Sequence, residues 1–381
     1  MAKCGKHRGH AAVMTLFKLW RVVLLCAGCL GVATPSAAAD YGHFGWEQVV
    51  PGVWYGTTLP DSFQSGNVVI VSLPSGGALV VDSHNADFLA REILQKVADL
   101  GLGPVRYLVN THLHQDHVGG NAAFRETFPR LQIIAHRNTC LTVPQKTMPR
   151  MEERLGPLRK QLEQMKAKRS GLPAGDGEAA SLDRRIVGTE LYLEDTKHFK
   201  WDMRAQCLDL KPGQAKVIRD GARRIEIRYY GRAHSSGDLV VFLPREKVLA
   251  IGDLWGEKSG FMVTDSGLDG RDGSIIEVPV TLKGIRALDF DTVLSGHYDV
   301  MKGKASLDAA IANSTKMVAQ IMERVERGDA VEEVLQKLPP PANAPPFITD
   351  RWRRVVIRGF EEIDLRRQLG LKMPGEATKK R

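Results

Sequence analysis

The sequence predicts a layered protein in which β-strands and α-helices alternate. Short apolar runs of strand length recur along the chain, and longer segments between them carry apolar residues at helical spacing. With 381 residues, of which 43% are apolar and 25% charged, the chain is neither disordered nor fibrous. Its length is sufficient for one large core or two ordinary ones.

The positive charge of the chain is concentrated at its beginning. The formal charge is +9, from 53 Lys and Arg against 44 Asp and Glu. Residues 1–39 hold five of the basic residues and no acidic one, so the rest of the chain carries only +4. This mild balance is not that of a nucleic-acid-binding protein, and we expect no nucleic-acid partner.

Residues 1–39 have the features of an export signal in the usual order. A basic stretch precedes an apolar run at residues 22–32, and small residues follow around Ala37 and Ala39. This order predicts a signal peptide that is cleaved before Asp40. The apolar run is shorter than the about 20 residues that span a membrane. We therefore expect a periplasmic or secreted protein with no stable membrane partner, and an uncleaved anchor is the alternative.

Two cysteines, Cys140 and Cys207, remain once residues 1–39 are set aside. In an oxidising compartment they could pair, although the sequence alone does not make them neighbours. Neither belongs to a CxxC pair, so the sequence does not suggest a cysteine zinc knuckle.

The first predicted elements form a hairpin, a helix and a strand. Two apolar runs at residues 67–71 and 78–82 flank Pro74-Ser75-Gly76-Gly77, which indicates a hairpin. Residues 88–100 have helical spacing, and residues 105–109 form the next strand. A further helix is expected near residues 122–128, and further strands at residues 131–135, 215–218, 225–230, 239–243, 248–251 and 292–294.

A charged segment at about residues 150–200 interrupts this pattern. Residues 152–168 have apolar positions at helical spacing, and residues 171–177 form a polar break. We interpret the segment as a helical insertion over the main fold. Because lids gate many active sites, our hypothesis is that it acts as a lid that shapes substrate choice.

The chain ends with a helix, a linker and a second helix. Residues 307–325 have helical spacing, a proline-rich stretch at residues 339–346 predicts a stiff linker, and an arginine-rich helix follows from about Asp350. The predicted divisions are a signal peptide at 1–39, a main domain at 40–338, and the linker with the last helix at 339–381.

The residues that carry chemistry are concentrated in Thr111-His112-Leu113-His114-Gln115-Asp116-His117-Val118-Gly119-Gly120. His112 and His114 are two residues apart, so on an extended segment their side chains point the same way. Three imidazoles and one carboxylate within six residues are costly in a core, whereas zinc accepts both kinds of ligand. The string therefore predicts a metal site.

Three later residues are further candidate ligands: His234, Asp253 and His297. Like His112, each follows a predicted strand, and layered α/β proteins build sites at the carboxyl ends of their strands. Together with His114, Asp116 and His117 they make seven candidate ligands, enough for two cations.

These residues resemble the HxHxDH signature of the metallo-β-lactamase superfamily, and the later His, Asp and His follow in that family's order. The resemblance extends over about residues 54–297. It implies an α+β protein, a four-layer αββα sandwich with a dinuclear centre between its two sheets, usually of zinc, with iron or manganese as alternatives. By the family pattern, the first ion would be held by His112, His114 and His234, and the second by Asp116, His117 and His297, with Asp253 bridging. Asp82 resembles the family's strand-end Asp, which supports the site from behind.

The resemblance implies a hydrolase that acts on a small molecule. The antibiotic hydrolases that give the family its name have Cys or Ser near the position of Asp253, whereas the Asp-bearing branch resembles glyoxalase-type hydrolases. A bridging carboxylate suits two cations about 3.5–4 Å apart, as in two-metal hydrolytic sites. We therefore favour cleavage of an ester, thioester, lactone or amide. A β-lactamase, a mononuclear iron oxygenase of the same fold and a non-catalytic metal-binding protein are the alternatives.

Asp116 is the predicted catalytic residue. A water or hydroxide held between the two metals would attack a carbonyl, and Asp116 would orient it and accept its proton. Tyr298 beside His297 is a candidate donor to the developing oxyanion. We interpret His84, near Asp82, as an ordinary loop residue.

Overall fold

Two β-sheets face each other in this computed structural model, which describes residues 42–60, 62, 66–173, 175–257, 272–342, 344 and 346–375. The first sheet contains, in the order of pairing, β1 Phe44–Val50, β2 Val53–Thr58, β3 Val68–Ser72, β4 Ala78–Val81, β5 Val105–Val109, β6 Gln132–His136 and β7 Gln206–Leu208. The second contains, in the order of pairing, β13 Met301–Lys302, β12 Thr292–Leu294, β11 Val248–Ala250, β10 Leu239–Leu243, β9 Arg223–Tyr229 and β8 Ala215–Asp220. The predicted signal peptide at residues 1–39 lies outside the described residues.

Helices cover the outer faces of both sheets. In chain order they are α1 Asp87–Asp99, α2 Gln115–Val118, α3 Asn121–Thr127, α4 Arg137–Thr142, α5 Met148–Ser170, α6 Gly177–Asp195, α7 Val278–Arg286, α8 Ala305–Arg327, α9 Val331–Lys337 and α10 Pro346–Gln368. A π-helical turn at Val143–Thr147 joins α4 to α5. Among the described helices, none has the length and apolar character needed to span a bilayer.

Strand β3 shows how the alternation of side chains divides the first sheet. Val69 and Val71 pack between the two sheets, whereas Ile70 packs on the opposite face. That outer face is covered by α1 and α3 through side chains such as Ile93 and Phe124. Successive residues of a strand point to opposite faces, so one apolar run serves two cores.

The second sheet divides in the same way. Val241 of β10 faces the first sheet, and its neighbours Val240 and Phe242 face outward. The outward side chains meet Leu282 of α7 and Ile321 of α8 in one cluster, to which α10 also contributes. The result is four layers, helix on sheet on sheet on helix. The predicted α+β, four-layer αββα sandwich is confirmed.

Most predicted elements lie within a few residues of their observed bounds, including the antiparallel β3–β4 hairpin. The last helix is an exception, because it begins at Pro346 and not near Asp350. Proline suits the first position of a helix, where its missing N–H costs nothing. Strands β1, β2, β7 and β13 and helices α2, α4, α7 and α9 were not predicted.

Helices α5 and α6 occupy the predicted insertion. They share a small apolar cluster of their own, formed by Leu162, Met165, Leu182 and Leu193. Tyr192, by contrast, belongs to the core layer between α1 and the first sheet. The insertion therefore has a small apolar cluster of its own and also packs into the core of the main fold through Tyr192. A loosely hinged lid would not need the second of these contacts.

A disulfide joins Cys140 of α4 to Cys207 of β7, with their Cα atoms 6.2 Å apart. Helices α5 and α6 lie in the chain between the two cysteines. The pairing that the sequence left open is therefore made in the structure.

Candidate metal centre

Strand directions bring the candidate ligands to one edge of the sandwich. Strands β4 and β5 run parallel, as do β11 and β12, and both β9 and β11 run antiparallel to β10. His112 follows β5, His234 follows β9, Asp253 follows β11 and His297 follows β12. The carboxyl ends of these strands meet, so residues far apart in the chain become neighbours.

All seven candidate ligands lie together, in two sets that could each hold a metal ion. One set is His112, His114, His234 and Asp253, and the other is Asp116, His117 and His297. Within each set the ligand atoms lie within 4.8 Å of one another.

The first set converges on the nitrogen atoms of three imidazoles. His114 Nδ1 lies 2.9 Å from His112 Nε2 and 3.1 Å from His234 Nε2. Asp253 Oδ2 lies 3.6 Å from the former Nε2 and 3.5 Å from the latter. Donor atoms held about 2.0–2.1 Å from a tetrahedral zinc ion stand about 3.3 Å apart, and these distances bracket that value.

The second set lies against the first and shares Asp253 with it. His297 Nε2 lies 3.3 Å from Asp116 Oδ2 and 3.0 Å from Asp253 Oδ2. His117 Nε2 lies 3.7 Å from Asp116 Oδ2 and 3.3 Å from Asp253 Oδ1. The Asp253 carboxylate thus stands between the two sets.

Asp82 fixes the orientation of two of these imidazoles. Its Oδ2 accepts hydrogen bonds from His117 Nδ1 over 2.8 Å and from Thr111 Oγ1 over 2.8 Å. The Thr111 hydroxyl has only one hydrogen, so it must accept from His112 Nδ1, 3.0 Å away. With Nδ1 protonated in both rings, the Nε2 lone pairs of His112 and His117 are directed into the site.

The buried polar atoms of the site fit a bound cation. His117 Nε2 and Asp253 Oδ1 are buried, and neither forms a hydrogen bond with any described residue. Buried polar atoms are normally paired, so two such atoms facing each other indicate a missing positive partner. Imidazole nitrogen and carboxylate oxygen are the ligands that zinc accepts.

The charges within the site oppose one another. Burial alone would raise the pKa of Asp253, but the imidazoles of His297, His117 and His112 hold it well below its usual range. Burial, together with the charge of His117, lowers the pKa of His112 well below its usual value, which favours the neutral form that binds metals.

Glycines allow the close approach of the ligand segments. A Cβ at Gly296 would come within 2.2 Å of Asp253 Oδ1, and a Cβ at Gly120 within 2.1 Å of the Ser83 carbonyl oxygen. Both positions therefore require glycine, which explains Gly296 before His297 and the second glycine that follows His117 in the string.

The insertion and its flanks contact the ligand string at two points and the next residue, Asn121, at a third. Thr147 Oγ1 donates to the Leu113 carbonyl over 2.7 Å, and Asn121 Nδ2 donates to the Asp202 carbonyl over 3.0 Å. Gln115, between His114 and Asp116, donates from Nε2 to the Tyr192 hydroxyl over 2.7 Å. Sequence reasoning did not find these contacts, since no local pattern links residues so far apart.

His84 and Tyr298 both lie close to the centre. His84 was interpreted as an ordinary loop residue, but it is fully buried with φ of 65°, and its Nε2 has no hydrogen-bond partner among the described residues. Burial lowers the pKa of His84 to about 4, so the ring is neutral at pH 7. The ring of Tyr298 lies against Gly256, where a Cβ would come within 2.2 Å of it.

The partly exposed ligands of the centre are Asp116 and His297 of the second set and His114 of the first. The side chain of Asp116 is 25% exposed and that of His297 18%, whereas His112 and His117 are buried. A small molecule would therefore meet Asp116, His297 and His114 first.

Comparison with known proteins identifies relatives of part of the chain. Residues 62–197 match the family model described as the metallo-beta-lactamase superfamily. A hydroxyacylglutathione hydrolase of Thermosynechococcus vestitus is 35% identical over 74 residues, which are 19% of this chain and 27% of that relative. The chain thus spans about a quarter of the length of that curated relative.

Solved structures of metallo-beta-lactamases are also similar to this chain. One from Pontibacter korlensis is 15% identical with a TM-score of 0.47, and the match covers 71% of this chain and 99% of that chain. The mono-zinc form of FIM-1 from Pseudomonas aeruginosa is 16% identical with a TM-score of 0.49, covering 74% and 98%. One from Erythrobacter litoralis is 18% identical with a TM-score of 0.45, covering 72% and 98%.

Proposed function

The chain belongs to the metallo-beta-lactamase superfamily, and we propose that it is an exported hydrolase that holds two zinc ions between its sheets and cleaves an ester, thioester, lactone or amide. The observation that carries this proposal is the position of Asp253, whose carboxylate lies against both ligand sets, with Oδ2 3.0 Å from His297 Nε2 of the second set. Oδ1 lies 3.3 Å from His117 Nε2, and Oδ2 lies 3.5 Å from His234 Nε2. One carboxylate shared by two sets suits a pair of cations.

The residues of the second set would serve the reaction. When bound, the cations would lower the pKa of a water molecule and polarise the carbonyl of the substrate. Asp116 is partly exposed and lies beside His297, so its carboxylate can accept a proton from an attacking water. Asp82 holds His117 from behind, which keeps the imidazole in place during turnover.

The location of the protein is part of the proposal. The basic, apolar and small-residue order of residues 1–39 supports export to the periplasm or beyond, with the mature chain starting near Asp40. The disulfide between Cys140 and Cys207 agrees with an oxidising compartment. N-terminal sequencing of protein from the native host tests this, and a chain starting at Met1 or Ala2 would contradict it.

Metal analysis of the purified mature chain, combined with a substrate screen, tests the proposed function. We expect two equivalents of zinc and hydrolysis of at least one member of a panel of esters, thioesters, lactones and amides. Because one relative is a hydroxyacylglutathione hydrolase, hydroxyacylglutathione belongs in the panel. Hydrolysis confined to β-lactams would favour an antibiotic hydrolase instead, and iron with oxygen consumption would favour an oxygenase.

A further inference from the structure

Two polar residues of the first sheet reach across the sandwich to the segment that carries His297. The hydroxyl of Tyr55 on β2 lies 2.5 Å from both the Ser295 and the Tyr298 carbonyl oxygens. Asn67, just before β3, donates from Nδ2 to the same two carbonyls over 3.2 and 3.0 Å. Residues more than 220 positions apart in the chain are thereby joined.

The two side chains also support each other. Asn67 Nδ2 lies 2.6 Å from the Tyr55 hydroxyl, and Asn67 Oδ1 accepts from the Thr58 backbone N–H over 3.0 Å. The backbone N–H of Asn67 donates to the Gly296 carbonyl over 2.7 Å. Tyr55 is fully buried and Asn67 nearly so, and buried hydrogen bonds of this kind hold a segment firmly.

The bonded carbonyls flank one candidate ligand. The carbonyls of residues 295, 296 and 298 each accept a hydrogen bond from Tyr55 or Asn67, and the side chain of His297, which lies among them, enters the centre. The other members of its set, Asp116 and His117, lie on α2, which follows a strand of the first sheet. We call the hydrogen bonds of Tyr55 and Asn67 to residues 295–298 the clamp. The clamp ties His297 to the first sheet, whose strand β5 leads to Asp116 and His117.

The first set depends less on this clamp. Its second-sheet members, His234 and Asp253, follow β9 and β11, and none of the hydrogen bonds of Tyr55 or Asn67 described above reaches either segment. Loosening the clamp would release His297 while His112, His114 and His234 keep their positions.

We propose that Tyr55 and Asn67 are positioning residues that set the cation affinity of the second set, formed by Asp116, His117 and His297, without setting that of the first. This inference rests on the proposed function, because it requires two cation sites. Neither side chain needs to touch substrate or cation, since both act through the backbone on either side of His297.

Tyr55→Phe is the variant that tests the inference. It keeps the buried ring and removes the hydroxyl, while Asn67 still reaches both carbonyls, so the segment is loosened and not lost. Tyr107→Phe on the nearby strand β5 is the matched control. It makes the same chemical change on a half-buried tyrosine that packs between the sheets.

The metal-free full-length mature proteins are titrated with zinc against a chromophoric chelator, and cobalt absorption spectra provide a second readout. The parent should bind two equivalents. In Tyr55→Phe the affinity for the second equivalent should fall about tenfold or more, as with other residues that orient metal ligands, and the first should change less than about twofold. Tyr107→Phe should match the parent.

Four results would overturn the inference. One is an unchanged second affinity, and another is an equal loss at both sites, which would show only a general effect on the fold. If Tyr55→Phe does not fold, Asn67→Ala is titrated in its place, and an unchanged second affinity there would be equally decisive. A parent that binds a single equivalent would instead contradict the proposed two-ion centre, and the inference would fall with it.

Discussion

Gln115 Nε2 donates a hydrogen bond to the Tyr192 hydroxyl over 2.7 Å, which joins helix α6 directly to the turn between His114 and Asp116. The ring of Tyr192 is buried in the core layer under α1. One end of this contact is therefore fixed in the fold and the other lies between two candidate ligands. The insertion is therefore hydrogen-bonded to the segment that carries the candidate ligands.

Tyr192→Phe should weaken zinc binding while leaving the protein folded. The buried ring remains, but Gln115 keeps only its longer bond of 3.2 Å to the Asn85 carbonyl. Residues that orient ligands change metal affinity about 10-fold to 100-fold. We expect a loss near the lower end of that range, measured by competition with a chelator. Equal zinc affinities of the parent and the variant would show that the contact does not hold the turn.

Replacing residues 150–200 with a short linker tests the lid hypothesis for the insertion. A lid alone would alter substrate preference and leave metal affinity intact. Because Tyr192 leaves with the segment, we expect metal affinity to fall about as far as in Tyr192→Phe, together with the change in preference. Circular dichroism would show whether the shortened chain still folds. Loss of the folded state would mean that the segment is part of the core.

Asp116→Asn should reduce turnover by orders of magnitude even where metal is retained. The substitution keeps the shape of the side chain and removes the charge that accepts a proton. Metal content is measured alongside kcat on the same preparation. A variant that holds two metals and turns over substrate at the parent rate would show that Asp116 is not the base.

Removal of metal should destabilise the protein. A cation that binds only the folded state adds to stability, and His117 Nε2 and Asp253 Oδ1 lose their expected partner without it. Dialysis against a chelator should lower the Tm by about 10 °C, and zinc should restore it. In His297→Ala the same treatment should produce a smaller shift, because one ligand is already missing.

Asp87→Asn should stabilise the protein at neutral pH and not at pH 4. Burial, and then the nearby Asp195 carboxylate, raise the pKa of Asp87 from 3.8 to about 6 in the folded protein. The unfolded chain therefore loses this proton at lower pH than the folded one, so the parent loses stability between about pH 4 and 6. Urea unfolding of both proteins across this range measures the difference, which should grow with pH; parallel curves would contradict the prediction.

The candidate ligands could be predicted from the sequence because each lies close after a strand that a short apolar run predicts. His112, Asp253 and His297 all follow short apolar runs, so their meeting at one edge follows from the order of elements. Their supporting contacts could not be predicted in the same way. The bonds of Tyr55 to Ser295 and of Gln115 to Tyr192 depend on how distant parts of the chain pack, which leaves no periodic trace.

The missed elements have local reasons. Strand β1 includes Gly45 and Glu47 and carries two half-buried, two exposed and two further half-buried positions after Phe44, so it lacks clean alternation. Strands β7 and β13 are only three and two residues long. His84 lies in a loop, as interpreted, but its complete burial was not foreseen, because burial depends on the distant segments that pack around the residue.

The disulfide makes the insertion a covalently closed ring. Cys140 and Cys207 are 67 positions apart, and helices α5 and α6 lie on the arc between them. The polar break at residues 171–177 includes exposed positions, which is where proteases cut most readily. After a single cut there, the disulfide would still join the two fragments. The cut protein should therefore migrate as one species in denaturing electrophoresis until a reductant separates the two fragments.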